Sequence, residues 1–180
     1  MPSIDPAIST LLAFALALIF GFSAAMKFRD LEVFESSVAN YSLLPTGYEK
    51  AFAYLVPIAE AAVSIGLLMT ATRTVAAIAL FFLMFMFSGA IAINLARGRT
   101  NIDCGCFGPA LRQELSGWLL GRNLFLMMLA LATVLPESGR SMQSLDAVTI
   151  AFGALTLVVL YASANFAISN GPKLRAPEML

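Results

Sequence analysis

Two cysteines stand in this chain of 180 residues, and they stand two apart, in Asn101-Ile102-Asp103-Cys104-Gly105-Cys106-Phe107-Gly108-Pro109. A Cys-x-Cys pair closes only a very small disulfide ring, with the usual Cα separation of about 5.5–6 Å to be met across one residue. Gly105 makes this least difficult, because it takes backbone angles closed to other residues. Gly108 and Pro109 turn the chain onward. A strained disulfide is easily reduced, the property of a bond that is passed on and not of one that holds a fold. The spacing therefore favours Cys104 and Cys106 as a redox pair. Arg97, Arg99 and Arg112 lie close in sequence, and positive charge raises the thiolate fraction that attacks a disulfide. Asp103 acts the other way, and Phe107 offers an apolar neighbour for packing or for a flat ring. Two free thiols, or half of a metal site completed by another chain, are the alternatives. Two soft ligands with no His in the chain are too few for a site of their own.

Glu60 is the second candidate. It falls within an apolar run, where an acid costs about 2.5–3.5 kcal/mol on insertion scales, so it must face the bundle interior or a polar cavity. Pro57, three residues earlier, removes a backbone hydrogen bond beside it. A proton relay or a quinone head-group contact is one reading. Interhelical bonding to Ser88 or Asn94 is the other. Arg122 and Asn123 start a later apolar run; the expectation for Arg122 is snorkelling to the interface, with neutralisation of a thiolate or a reduced quinone as the alternative. Glu60, Phe107 and Arg122 are thus the residues a quinone would touch. Nine Met residues show no ligand spacing and read as packing filler.

What positions these residues is lipid. Hydrophobic residues make up 59% of the chain and charged residues only 12%, about half the charged share of a soluble domain, and the mean hydropathy is +0.84. The absence of His excludes a Ser/His/Asp hydrolase and a His-ligated metal. A formal charge of zero gives no reason to expect nucleic acid. Crossing a bilayer core takes roughly 20 helical residues, and five runs qualify: 7–26, 51–70, 74–96, 115–136 and 147–169. An open sheet edge in hydrocarbon would leave backbone groups unpaired, so the spans must be helices. The expected fold is an all-α membrane protein, a single integral domain over 1–180. It is a bundle of about five transmembrane helices with a redox loop at 97–114. No Lys or Arg precedes the first run, which is read as a span and not as a removable leader.

Between Lys27 and Lys50, Leu31, Phe34, Val38 and Tyr41 recur at helical spacing among acidic residues, the pattern of an amphipathic helix at the interface. Its apolar stripe serves either as scaffold packing or as a docking face. Trp118, Tyr41, Tyr48 and Tyr54 suit an aromatic belt. If the five helices alternate, one side holds Arg73 and Arg140 and the other holds the remaining nine of eleven Lys and Arg residues. The positive-inside rule then puts the amino terminus in the periplasm, and the carboxyl terminus and the cysteine loop in the cytoplasm.

Five fragments occur in a telling order: Phe22-Ser23-Ala24-Ala25-Met26-Lys27-Phe28, Tyr41-Ser42-Leu43-Leu44-Pro45, Pro57-Ile58-Ala59-Glu60, Cys104-Gly105-Cys106-Phe107-Gly108, and Arg122-Asn123. With these the chain resembles, from about Leu11 to Pro136, the methylamine-utilisation MauE family, part of a broader DoxX-like group of small bacterial membrane proteins. The resemblance implies an inner-membrane protein that helps to mature methylamine dehydrogenase, whose small subunit carries many disulfides and is the client. It also implies a membrane-anchored thioredoxin-like partner resembling MauD, with Cys104 and Cys106 as the redox pair. A possible thiol-disulfide oxidoreductase is the enzyme class implied. A non-catalytic chaperone or docking subunit for the thioredoxin-like partner is the alternative, with the Lys27 to Lys50 helix as its working surface. The implied periplasmic chemistry conflicts with the charge count. The loop folds back into the bundle, or one segment does not span, or the pair draws on cytoplasmic thiols or a quinone.

Overall fold

The computed structural model describes residues 4–105 and 113–175, with side chains described as far as residue 169. Cys106, Phe107 and Arg112 lie outside the described residues. Six helices follow one another: α1 Pro6–Arg29, α2 Leu31–Tyr41, α3 Glu49–Leu68, α4 Arg73–Ala96, α5 Gly117–Ala132 and α6 Ser144–Arg175. Four of them, α1, α3, α4 and α6, are long and apolar enough to cross a membrane. The chain is an all-helical, multi-pass membrane protein.

Local chemistry sets the helix ends. Asp5 caps α1 by accepting from the Ala7 amide at 2.8 Å, and Pro6 follows at the first helical position, where its missing N–H costs nothing. Asp30 leaves helical geometry between α1 and α2, so the chain turns at the end of the first span and does not run on as one long rod. Ser42, in the left-handed region at φ 49°, ends α2. Pro57 is inside α3, which continues through it.

α1 is the axis of the bundle. It packs against α3, α5 and α6, and 56% of its most apolar stretch is buried, against 11% for α6. Leu16, Phe20, Leu67, Leu80, Leu126 and Ala130 form the centre of the core. Two close approaches fix the axis to its neighbours. Ser64 donates to the Ala17 carbonyl at 2.7 Å, and a Cβ on Gly153 of α6 would collide with Leu11 of α1. Phe82, Phe85, Phe125 and Phe152 point outward and are exposed, the pattern of a surface solvated by lipid.

The expected fourth span, 115–136, is shorter as a helix. α5 has 16 residues, about 24 Å at 1.5 Å per residue, less than the bilayer core of about 30 Å. It closes in a tightened last turn where Thr133 donates to Ala130 and Val134 to Leu131. The chain completes the passage without helix, for the Ile4 amide donates to the Pro136 carbonyl at 3.0 Å and the Ser138 amide to the Ile4 carbonyl at 2.8 Å. Arg140 pairs with Asp5 at 3.0 Å, and Arg73 with Glu137 at 3.3 Å. These contacts gather the amino terminus, the α3–α4 turn and the α5–α6 connection at one end of the bundle. The carboxyl end of α1, α2 and the cysteine segment share the other.

Candidate functional site

The cysteine segment does not hang free as a loop. Cys104 donates its amide to the Gln113 carbonyl at 2.8 Å, and Leu115 donates to the carbonyls of Thr100 and Ile102 at 3.1 Å. Asp103 holds the turn from within, its Oδ1 accepting from the amides of Gly105 at 3.3 Å and Gln113 at 3.1 Å. Its carboxylate is therefore engaged with the backbone. Gly105 has φ +70°, and a Cβ there would stand 3.1 Å from Phe34. Glycine is needed for both reasons, conformation and the close approach of α2. The segment thus turns inward, and Cys104 is buried and held in a disulfide. The chain has just one other cysteine, Cys106.

Arg122 is where the structure departs most from expectation. It is buried and does not snorkel. Its guanidinium donates to Gln113 Oε1 at 3.1 Å, Asn123 Oδ1 at 3.3 Å and Asn165 Oδ1 at 3.4 Å, and Nη2 faces Cys104 Sγ at 3.9 Å. Three amide oxygens from the cysteine segment, α5 and α6 hold the charge in place against the sulfur. Asn123 in turn donates to Ser88 at 3.3 Å, so Ser88 partners Asn123 and not Glu60.

Glu60 pairs instead with Lys27. The ammonium lies 2.8 Å from both carboxylate oxygens and donates to Ser23 Oγ, one turn earlier in α1, at 2.6 Å. The pair is almost wholly buried. Lys27 also stands 5.3 Å above the Phe34 ring, the same ring that abuts Gly105. Sequence reasoning missed Lys27, because a lysine at the end of an apolar run normally reads as a flanking anchor. The one available signal was the Ser23–Lys27 spacing of four, which stacks the two on one face of a helix. Asn165, an isolated amide in an uncharged span, was the corresponding signal in α6.

Both groups open on one small cavity of about 30 Å³, lined among others by Ser23, Lys27, Glu60, Cys104, Arg122 and Tyr161. That volume holds a water or two. Glu60 and Arg122, two of the residues expected to touch a quinone, both line this cavity, and Phe107 lies outside the described residues. Lys27, Glu60 and Arg122 therefore share this small space with Cys104.

On its other side α2 buries Phe34 and Val38 against Ala53 and Val56 of α3. The apolar stripe of this helix is a packing surface within the bundle. Trp118 and Tyr41, expected in an interfacial belt, are partly buried against the cluster that holds Cys104 and Ile102. Tyr48 and Tyr54 are exposed.

Ser23, Lys27, Glu60, Cys104, Arg122 and Asn123 of this buried site belong to fragments that carried the resemblance, and the comparison with known proteins agrees. The family model for methylamine utilisation protein MauE matches residues 5–136. The chain belongs to the MauE family. Methylamine utilization protein MauE of Paracoccus denitrificans is 40% identical over 164 residues, covering 90% of this chain and 88% of that protein. MauE of Paracoccus versutus is 38% identical over 162 residues, 89% and 87% of the two chains. That of Methylorubrum extorquens is 36% identical over 161 residues, 88% and 87%. No solved structure shows a significant match. The MauE match ends at residue 136, so α6, which supplies Asn165 to Arg122, lies beyond it.

Proposed function

We propose that this MauE-family protein is a membrane thiol-disulfide redox protein in which Cys104 and Cys106 cycle between disulfide and dithiol. One observation carries the reading: Cys104, held in a disulfide, has the buried Arg122 guanidinium 3.9 Å from its sulfur. Lys27 and Glu60, paired with each other, line the same small cavity. A nearby cation favours the thiolate over the thiol, so reduction of the disulfide by a partner's thiols is met by a guanidinium already at 3.9 Å. Exchange proceeds by attack of a thiolate on a disulfide sulfur through a mixed disulfide. A membrane-anchored thioredoxin-like protein, MauD-like by resemblance, is the partner. A disulfide-bearing dehydrogenase subunit, such as the methylamine dehydrogenase small subunit, is the client, served indirectly because a cysteine pair at the cytoplasmic end does not itself meet a periplasmic protein.

The exposed cations support an orientation. Lys27, Arg73 and Arg122 are buried and paired, and among the described residues the exposed Arg29, Lys50, Arg97 and Arg99 lie at the cysteine end against Arg140 at the other. This bias supports an orientation with the cysteine end on the cytoplasmic side and the amino terminus in the periplasm of the inner membrane.

The test is exchange between the purified protein and a thioredoxin-like partner, followed by thiol mass-tagging on non-reducing gels. Cys104→Ser and Cys106→Ser should each abolish turnover, with one of them trapping a mixed disulfide. Full turnover in both single variants would refute the redox reading and favour the docking alternative, whose remaining free surface on α2 is the acidic face around Glu32 and Glu35.

A further inference from the structure

Cys104 lines two spaces. One is the small polar cavity described above, and the other is an apolar pocket of about 300 Å³ between α2 and α4. Phe34, Val38, Phe52, Phe87 and Ile93 supply its walls. Its size is at the lower end of sites that enclose small organic ligands, whose walls are likewise apolar with few polar groups. Small residues make the space: Gly89 and Ala90 line it, and a Cβ built on Gly89 meets nothing within 4 Å. Met86 and Ile93, also on its rim, are 42% and 45% exposed on a helix surrounded by lipid. An occupant therefore enters sideways from the bilayer. Tyr41 supplies a phenol in the lining; burial, reinforced by the Asp103 carboxylate, pushes its pKa up, so it keeps its proton.

A pocket open to lipid and lined by a disulfide cysteine points to a particular class of occupant: apolar, planar and able to exchange two electrons. We propose that this pocket binds the ring of a lipid-soluble quinone, the oxidant that regenerates the Cys104–Cys106 disulfide. The proposal rests on the redox reading above and adds its electron acceptor. The step balances: two thiols lose two protons and two electrons, one S–S bond forms, and the quinone takes up both protons and both electrons as quinol. It seats the quinone in this larger pocket and not in the cavity of about 30 Å³ by Glu60 and Arg122, which shares the same cysteine.

The single tryptophan of the chain, Trp118, packs on the cluster that includes Cys104 and Tyr41, and gives a direct probe because quinones quench indole fluorescence. Decylubiquinone added to the full-length protein in nanodiscs should quench Trp118 saturably, in the native chain and equally in Cys104→Ser. Gly89→Leu, which fills the pocket, should bind at least about tenfold more weakly while reacting normally with dithiothreitol. The pre-reduced native protein should convert decylubiquinone to its quinol, read from the ultraviolet absorbance, as its cysteines become unreactive to thiol tags.

Quenching that does not saturate, or that Gly89→Leu leaves unchanged, would overturn the site. Displacement of the quinone by an equal concentration of decanol would show a lipid-tail pocket and overturn it as well, and this measurement needs no variant. Saturable binding with no quinol formed would overturn the role as acceptor. Cysteines that exchange with no thiol at all, beside undiminished quenching, would refute the redox reading and leave the binding site standing.

Discussion

Lys27 and Glu60, 33 residues apart, meet with the ammonium 2.8 Å from both carboxylate oxygens, at the level where α1, α2 and the cysteine segment converge. A buried pair of this kind is costly to desolvate and more costly to break, because removing one partner strands the other charge. Lys27→Met is expected to destabilise the bundle by about 3–5 kcal/mol, read as a lower unfolding midpoint in detergent. Adding Glu60→Gln should restore most of that loss, since neither residue is then a lone buried ion. A double variant no more stable than the single would show that the pair is not the source.

Arg122 faces Cys104 and is held by three amide oxygens. Arg122→Gln removes the charge and leaves a polar side chain in its place. The reduced protein should then be alkylated roughly tenfold more slowly at neutral pH, because the thiolate and not the thiol is the nucleophile. Arg122→Lys should recover part of the rate. Equal rates in all three proteins would remove Arg122 from the redox chemistry and leave it a structural role.

Gly153 lets α6 settle on α1 at Leu11. Gly153→Leu is expected to lift α6 away from the axis, at a cost of about 1–3 kcal/mol. Because α6 carries Asn165 to Arg122, the alkylation rate of the reduced cysteines should change as well. A companion Leu11→Ala substitution should recover both readouts.

At the opposite end, Arg140 joins Asp5 and Asp146. Its guanidinium, helped by the Ala7 amide, holds the Asp5 carboxyl below its ordinary pKa. The folded-state pKa is depressed, so this contact contributes above the unfolded pKa and is lost as pH falls through the folded one. Thermal stability should therefore fall on acidification through the carboxylate range, and Arg140→Gln should flatten that dependence. High salt should weaken it too, since the pair is exposed.

Labelling decides the orientation. In cells with a permeabilised outer membrane, after reduction, Cys104 and Cys106 should react with a permeant thiol reagent and resist an impermeant one. Strong labelling by the impermeant reagent would put the cysteine end in the periplasm and reverse the orientation read from charge.

Much of this was legible in the residues alone, for reasons of scale. A bilayer demands about 20 apolar residues per helix, so four of five spans could be placed within a few residues of α1, α3, α4 and α6. The Leu31, Phe34 and Val38 spacing likewise gave α2. The spacing of Cys104 and Cys106 and the presence of an acid in α3 were likewise plain to read. The end of α5 was not, because hydropathy continues through Val134 and Leu135 while the backbone has already left the helix to pair with Ile4. Above all, the fates of Lys27 and Arg122 were not legible. A cation beside an apolar run has the same sequence signature whether it snorkels to water or turns inward to a partner. Which it does depends on what the folded chain brings within about 3 Å, and for Lys27 that is a carboxylate from another helix. Sequence determined that this is a membrane helix bundle with a cysteine pair at one end; tertiary packing alone decided that the pair's sulfur lies between a buried guanidinium and a lipid-facing pocket.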